Sequence, residues 1–281
     1  MPDFRYSLQV VRDAWEGCTN CALGVRRKEV QGKFVFGEGT PRGIMFIGEG
    51  PGINEEQEGR PFVGRSGKIL RQVIEKLGIT DCSYITNVVS CRSCALAYTS
   101  EGQPITRYNR SLRIHEQVVR DEAPSPMQMA ACLPRLYEEI YLVDPVLIVS
   151  LGGEAAKAVI SERSFSVIGE RGRTREINIP GAWSLPELTE KRRQWLHKVR
   201  GEFVMPVTQN RVRYLLLPTI HPAYVLRRWE DRSYKNPLEV FLADMKEAAK
   251  IYDRYLLENY GKEPIEREVT VADVADIGED Q

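Results

Sequence analysis

The stretch GIMFIGEGPGINEEQEGRPFVGRSGKILRQVIEKLG, residues 43–78, decides the fold. It opens with a short apolar run, residues 43–48, which predicts a buried strand, and it continues through two glycine-rich segments. Apolar side chains then recur at helical spacing, with Ser66 as the expected cap and Gly78 where a left-handed residue ends a helix. The stretch therefore predicts a strand, a functional loop and a helix.

The same unit repeats along the chain. Further apolar runs at 84–89, 146–151 and 213–220 alternate with helical patterns, and a capping box at Ser125 opens one of the helices. This alternation predicts an α/β protein of three layers, α/β/α, around a central, mostly parallel sheet of four strands. Ligands of such sheets bind beyond the carboxyl ends of the strands, so the segments that follow the strands are the candidate site.

Two polar stretches, about 92–124 and 162–210, are predicted to be insertions in a single domain that spans residues 1–261. Residues 262–281 are predicted to form an acidic, disordered tail, because they hold seven acidic side chains against two basic ones. The whole chain has 39 basic and 39 acidic residues, so the first 261 residues carry a formal charge of +5. A modestly basic body is compatible with a nucleic-acid partner.

Composition excludes several classes of protein. With 42% hydrophobic and 28% charged residues the chain is an ordinary globular mixture, and its apolar runs fall short of the ~20 residues that a bilayer span requires. Charged side chains interrupt the amino-terminal stretch where a signal peptide needs an apolar block, so we expect a cytoplasmic protein without a membrane partner. The segment GRPFVGRSGK lacks the Ser or Thr that follows the lysine of a P-loop, which argues against nucleotide hydrolysis.

Six cysteines indicate metal or redox chemistry, because a chain of this length in a reducing compartment does not need disulfides. Two Cys-x-x-Cys pairs, Cys18/Cys21 and Cys91/Cys94, first suggest a zinc ribbon. The 69 residues between the pairs argue against it, because they contain a complete strand, loop, helix and strand.

Five segments in a fixed order carry a resemblance to a known family. They are CTNC (18–21), GEGPGINEEQEGRPFVGRSG (48–67), YITNVVSC (84–91), AAC (130–132) and HPAYVLRR (221–228). Together they resemble the family 4 uracil-DNA glycosylases, which carry an iron–sulfur cluster. The resemblance implies hydrolysis of the bond between uracil and deoxyribose in single- or double-stranded DNA, leaving an abasic site. It also implies a monomer.

The resemblance selects four of the cysteines as ligands of a [4Fe–4S] cluster. They are Cys18, Cys21, Cys91 and Cys132. The 40 residues between the last two exceed the interval usual in the family, and Cys94 lies among them. Replacement of Cys91 or Cys132 by Cys94 therefore stays open.

The resemblance implies three catalytic residues: Asn87, His221 and Glu49. The Asn87 amide can donate to uracil O4 and accept from N3–H, a pattern that cytosine does not match. His221 can donate to uracil O2, where negative charge grows as the glycosidic bond breaks. Glu49 is expected to orient water or the base. Phe62 offers an aromatic face on which the base stacks.

Other residues are implied at the substrate and at the DNA. The loop residues expected at the substrate are Gly50, Pro51 and Gly52. Val225 or Leu226 is expected to be the apolar wedge that enters the vacated base stack, and Arg227 and Arg228 are expected to hold phosphates.

Two alternative functions remain at this point. The first is a catalytically silent iron–sulfur module that binds nucleic acid. The second is a relative that traps uracil-DNA covalently, because residues 113–115, Arg-Ile-His, faintly resemble a loop of such a relative, with His115 as the reacting residue.

Overall fold

A computed structural model describes residues 4–96, 101, 103, 105–109, 113–160, 162, 164–180, 211–228 and 236–274. Its helices are α1 (Phe4–Glu16), α2 (Ala22–Glu29), α3 (Ile53–Glu58), α4 (Arg65–Lys76), α5 (Pro126–Val143), α6 (Gly153–Ile160), α7 (Val167–Glu170), α8 (Pro222–Arg227) and α9 (Pro237–Tyr260). Its strands are β1 (Glu38–Gly39), β2 (Ile44–Gly48), β3 (Ser83–Asn87), β4 (Cys94–Leu96), β5 (Thr106–Asn109), β6 (Ile114–Gln117), β7 (Val119–Asp121), β8 (Leu147–Leu151), β9 (Arg175–Pro180) and β10 (Arg211–Thr219). None of the described helices is long and apolar enough to span a membrane.

The central sheet contains six strands within the described ranges, in the order β1-β3-β2-β8-β10-β9. The four middle strands are parallel, which confirms the predicted sheet at its centre. The predicted total of four is wrong, because β1 and β9 add antiparallel edges. Strand β9 lies inside the stretch 162–210 that was expected to be an insertion, and residues 181–210 lie outside the described part.

Side chains of the parallel strands alternate between two cores, which confirms the three-layer α/β/α arrangement. Met45 and Ile47 of β2 point toward α1, α5 and α6. Ile44 and Phe46 point to the opposite face and pack against α4, α8 and α9. Strands that are buried on both faces read as continuous apolar runs, and for that reason the sequence pattern identified them.

Of two predicted helix caps, one is present in the structure and the other is not. At the start of α5 the Ser125 hydroxyl accepts from Gln128 N (3.3 Å) while the Gln128 side chain accepts from Ser125 N (2.7 Å), which is the predicted capping box. The prediction of Ser66 as the cap of α4 is wrong, because Gly64 occupies the cap position and Arg65 is the first helical residue. The glycine leaves room for a carboxylate of the preceding helix, described below.

The described strands of the stretch 92–124 do not join the central sheet. Strand β4 pairs with β7 and strand β5 with β6, each pair antiparallel. Arg92 pairs with Asp121 and so joins the two ends of the stretch.

The carboxyl-terminal segment is not a disordered tail over residues 262–274, and the prediction is wrong there. Val269 and Val274 are buried in the core beneath α9. Arg267 forms a largely buried ion pair with Asp253 and donates from Nε to Leu77 O (2.6 Å). Acidic composition predicted disorder, but two valines and one arginine are enough to dock the segment. Residues 275–281 lie outside the described part.

We expect Arg267→Met to lower the free energy of unfolding by about 3 kcal/mol, because it leaves Asp253 as a buried, unpaired charge. The double variant Arg267→Met/Asp253→Leu removes both charges and is expected to recover most of that loss. Denaturant unfolding of the three proteins measures both values. Equal stability of the parent chain and Arg267→Met would contradict the docking of this segment.

Candidate active site

A cavity of about 780 Å³ opens at the carboxyl ends of β2, β3, β8 and β10. It brings together most of the residues singled out in the sequence. Those that line it are Glu49, Gly50, Pro51, Gly52, Phe62, Asn87, His221, Leu226 and Arg227. The parallel sheet explains the grouping, since four strands deliver the segments that follow them to one edge.

Asn87 ends strand β3 and is almost fully buried, with 2% of its surface exposed. Its side-chain oxygen Oδ1 has no hydrogen-bond partner among the residues that the structure describes. A buried polar atom without a partner costs about 1–3 kcal/mol, so this oxygen marks a place where a ligand donor fits. Gly48 permits the arrangement, because a Cβ there would lie 2.4 Å from Oδ1 of Asn87 and 2.5 Å from Cζ of Phe62.

Phe62 supplies the aromatic wall beside Asn87. Its backbone is left-handed, with φ of 54°, which is costly for a bulky residue. Arg71 of α4 holds this turn by donating from Nε to Phe62 O (2.9 Å) and from Nη2 to Pro61 O (2.6 Å). The turn also rests directly on Gly67, where a Cβ would lie 2.2 Å from the carbonyl carbon of Phe62.

We expect Gly67→Ala to lower the free energy of unfolding by about 1–3 kcal/mol, because the added methyl group collides with the Phe62 backbone. Gly169→Ala is the control: Gly169 also lies in a helix but has open space around the position of a Cβ. Alanine there is expected to be neutral or stabilising. Thermal or denaturant unfolding compares the two, and similar effects at both positions would contradict the close packing at Gly67.

Glu55 fastens the two glycine-rich segments to each other. Its Oε1 accepts from Val63 N (2.9 Å) and Gly64 N (2.7 Å), while its Oε2 accepts from Gly52 N (3.1 Å). Three backbone N–H donors offset the free-energy cost of burying this carboxylate. The loop that carries Gly52 and the loop that carries Phe62 are thereby held as one wall of the cavity.

His221 caps the short helix α8 with its own ring. Its Nδ1 accepts from Ala223 N (3.0 Å), so the proton of the neutral ring lies on Nε2. Burial, together with the charge of Arg227, lowers the pKa of His221 to about 4. At neutral pH the ring is therefore an uncharged donor. Its centroid lies 6.0 Å from that of Phe62.

The low pKa of His221 predicts a pH dependence. The unfolded chain takes up this proton near the ordinary value of 6.5 and the folded chain only near 4, so the stabilisation is complete above pH 6.5 and is lost as the pH falls through 4. Proton NMR of the three histidine rings tests this, and His221→Asn assigns the signal. We expect a midpoint near pH 4, and a midpoint near 6.5 would contradict the half-buried, capping ring.

Two carboxylates, those of Glu49 and Glu154, line the cavity. Burial raises the pKa of Glu49, and the charge of Glu154 raises it further. Glu154 follows β8 at the start of α6, and the sequence reasoning missed it. The pair Gly152-Gly153 after a predicted strand was the signal that could have indicated it, since that segment also ends at the carboxyl edge of the sheet.

The segment after β10 contains one prediction that is wrong. Val225 is fully buried in the core between α8 and the sheet, so it is not available as a wedge. Leu226 is partly exposed at the cavity, and Arg227 is exposed beside it. Arg228 is exposed and lies over the ring of Tyr224, 6.0 Å from its centroid, rather than in the cavity lining.

Part of the cavity wall comes from the stretch 92–124, and the sequence did not indicate this contribution. The lining residues from this stretch are Ser93, Asp121, Glu122 and Pro124. Asp121 approaches the loop of the first glycine-rich segment, since its Oδ2 lies 3.6 Å from the position of a Cβ on Gly52. His115 lies on β6 and is not among the lining residues.

Four cysteines lie at the core that contains residues of α1 and α5. Cys91 belongs to this core, and Cys18, Cys21 and Cys132 pack against it. Burial raises the pKa of Cys91 to about 12, and the nearby Arg27 opposes the rise. Cys132 and Cys21 each interact electrostatically with both Cys18 and Cys91.

Cys94 lies apart from this group, among Arg26, Arg92, Glu56 and Asp121. Among the described residues, no three Cys, His, Asp or Glu side chains converge tightly enough to hold a single metal ion. Thiolates that each bind a different iron of a cluster need not converge on one point. The four grouped thiols, free of disulfides, therefore fit the donor set of a [4Fe–4S] cluster.

The fold and the cavity together define an α/β protein whose pocket combines an aromatic wall, Phe62, with the buried carboxamide of Asn87. The family model of the uracil DNA glycosylase superfamily matches residues 34–246. A type-4 uracil-DNA glycosylase of Sulfurisphaera tokodaii is 30% identical over 258 residues, which is 90% of each chain. Type-4 uracil-DNA glycosylases of Thermotoga maritima (32% over 59% of this chain and 72% of that one) and Pyrobaculum aerophilum (29% over 79% and 85%) are also similar.

The chain therefore belongs to the uracil DNA glycosylase superfamily, in its type-4 branch. This confirms the resemblance found in the sequence motifs.

Proposed function

We propose that the chain is a uracil-DNA glycosylase that acts in DNA repair and releases uracil from a nucleotide flipped out of DNA. One observation carries the proposal: the buried Asn87 Oδ1 lacks a partner among the described residues and faces the same cavity as Phe62 and His221. The amide oxygen accepts from uracil N3–H and the amide nitrogen donates to O4. The names of the relatives support the same activity.

His221 stabilises the leaving base. As the bond between C1′ and N1 breaks, its electron pair stays with uracil, and negative charge develops on O2. A neutral Nε2–H donor, held in place by the bond from Ala223 N to Nδ1, meets that charge without having to reorient.

Water completes the hydrolysis. Its oxygen bonds to C1′ of the deoxyribose, and its proton passes to solvent or to the departing uracil anion. We assign Glu49 to orienting this water, because its carboxyl group is partly buried in the cavity that Glu154 also lines. The backbone of Gly50, Pro51 and Gly52 shapes the wall next to the base.

The DNA contacts follow from the exposed end of α8. Leu226 is the apolar side chain at the rim that can fill the gap left by the flipped base, and Arg227 and Arg228 carry the charge for phosphates. We propose a monomer that acts on uracil in single- or double-stranded DNA.

The test is to incubate the purified chain with single- and double-stranded oligonucleotides that carry one uracil, and then to cleave abasic sites with alkali. Strand scission at the uracil position is expected. Strands left intact over a range of salt concentrations, with DNA binding retained, would instead indicate a silent binding module. A protein–DNA adduct that survives SDS and is lost in His115→Ala would indicate a covalent trap.

We further propose that Cys18, Cys21, Cys91 and Cys132 hold a [4Fe–4S] cluster. Bound there, the cluster supplies a covalent link between the amino-terminal helices and the core rather than redox chemistry, since hydrolysis moves no electrons. The grouping of these four thiols, with Cys94 apart, supports this ligand set.

Iron analysis and visible absorbance of anaerobically purified protein test the cluster. Four iron atoms per chain and a thiolate-to-iron absorption band are expected, both retained in Cys94→Ser and lost in Cys132→Ser. A colourless protein that contains zinc would contradict the cluster, and loss of iron in Cys94→Ser would contradict the ligand set.

A further inference from the structure

Arg135 of α5 lies behind the strand end that carries Asn87. It is fully buried, it does not line the cavity, and no sequence motif indicated it. Its Nη2 donates to the backbone carbonyl oxygens of both Asn87 and Val88, each at 2.6 Å. A charged donor with two short bonds to adjacent carbonyls is among the stronger restraints that a backbone can have.

These bonds complete a clamp on the backbone at Asn87. On one side, strand β2 holds the chain, since Val88 N donates to Gly48 O (2.8 Å) and Val89 N donates to Glu49 O (3.1 Å). On the other side, the carbonyls of Asn87 and Val88 point to the guanidinium. The direction of the Asn87 side chain depends on this backbone, so Arg135 acts on the amide without touching the cavity.

The guanidinium is itself held firmly. Its Nη1 pairs with Glu139, one turn along α5, and donates to Thr86 Oγ1 (3.3 Å). Glu139 in turn accepts from Tyr84 Oη (2.7 Å) and Gly37 N (2.9 Å). These contacts fix the position of the guanidinium, whereas a buried ion pair is by itself weak evidence for net stability.

Helix α5 carries a second group on the same face. Cys132 lies three residues before Arg135, so it is a neighbour on the helix surface, and it interacts with the guanidinium. One turn of α5 thus contacts both the group of four cysteines and the backbone of the base-reading residue.

We propose that Arg135 is a positioning residue that holds the Asn87 amide in register with the edge of the base, acting through the carbonyls of Asn87 and Val88. The proposal rests on the function proposed above. Part of the discrimination for uracil is thereby assigned to a residue that lies outside the cavity.

The test is a double-mutant cycle. Arg135→Met/Glu139→Gln removes both buried charges together, so the chain is not left with an unpaired one. Single-turnover uracil release and the binding of free uracil by calorimetry are measured for this variant in the Asn87 and the Asn87→Ala backgrounds. We expect about a tenfold loss in both quantities when Asn87 is present, and less than about a twofold loss when it is absent.

Two further proteins make the result decisive. Arg135→Lys keeps a cation beside Glu139 but loses the forked donor, and it is expected to show the same loss that depends on Asn87. Arg267→Met/Asp253→Leu removes a comparable buried pair on the opposite face of the sheet, and it is expected to leave uracil release and binding unchanged. Iron content and absorbance are compared for all variants, so that cluster loss is not mistaken for misplacement of the amide.

Equal losses in the two Asn87 backgrounds, or no loss at all, would overturn the role of Arg135 while leaving the proposed function in place. A parent chain that neither releases nor binds uracil would overturn the proposed function itself.

Discussion

Replacing His221 by leucine is expected to lower the rate of uracil release by about 10²- to 10³-fold. The neutral ring is placed to donate from Nε2 to the oxygen that gains charge as the bond breaks, and a preorganised donor of this kind contributes about 2.7–4 kcal/mol to the transition state. Single-turnover kinetics with excess enzyme isolates the step, because product release does not then limit the rate.

His221 also caps α8, so the variant needs a control that separates the two roles. Asparagine is a favourable cap, and its side-chain oxygen can accept from Ala223 N in place of Nδ1. We expect His221→Asn to retain the free energy of unfolding but to lose the rate as fully as His221→Leu. A His221→Asn protein with nearly the parent rate would show that the capping bond, and not the donor, is what the reaction needs.

Replacing Asn87 by aspartate is expected to lower uracil release on the order of 10³-fold, because a carboxylate opposes uracil O4 where the amide nitrogen donated. The same change presents an acceptor to the exocyclic amine of cytosine. The ratio of uracil to cytosine release from otherwise identical oligonucleotides is therefore expected to fall by more than the loss in uracil rate alone would produce.

Asn87→Ala is the matched control for this change. It removes the donor and the acceptor together, so it is expected to slow uracil release without any gain on cytosine. If Asn87→Asp and Asn87→Ala gave the same ratio of uracil to cytosine release, the edge of the base would not be read by this amide.

The central fold could be predicted because its four parallel strands are buried on both faces and read as uninterrupted apolar runs. The edge strands could not be predicted in the same way. Strand β1 has two residues, and in β9 the buried residues Ile177 and Ile179 are separated by polar Asn178. The prediction of disorder for residues 262–274 failed for a related reason. Composition is an average over many residues, whereas a few side chains, such as Val274, decide whether a segment packs against the core.

Some residues of the candidate site could likewise be predicted from the sequence, and others could not. Residues at or just beyond the carboxyl end of a strand, such as Glu49, Asn87 and His221, could be placed together from topology alone. Asp121 and Arg135 could not, because their positions depend on contacts between segments distant in the chain: Arg135 and Asn87 are 48 residues apart. Val225 was misassigned since the sequence does not show which side of a six-residue helix faces the core.

Quantifying the free base released from a duplex that carries one uracil, by mass spectrometry in a single turnover, tests the central claim most directly. We expect one molecule of free uracil for each abasic site formed, and a loss of both in His221→Leu and Asn87→Asp. An intact duplex, or scission without free uracil, would contradict it.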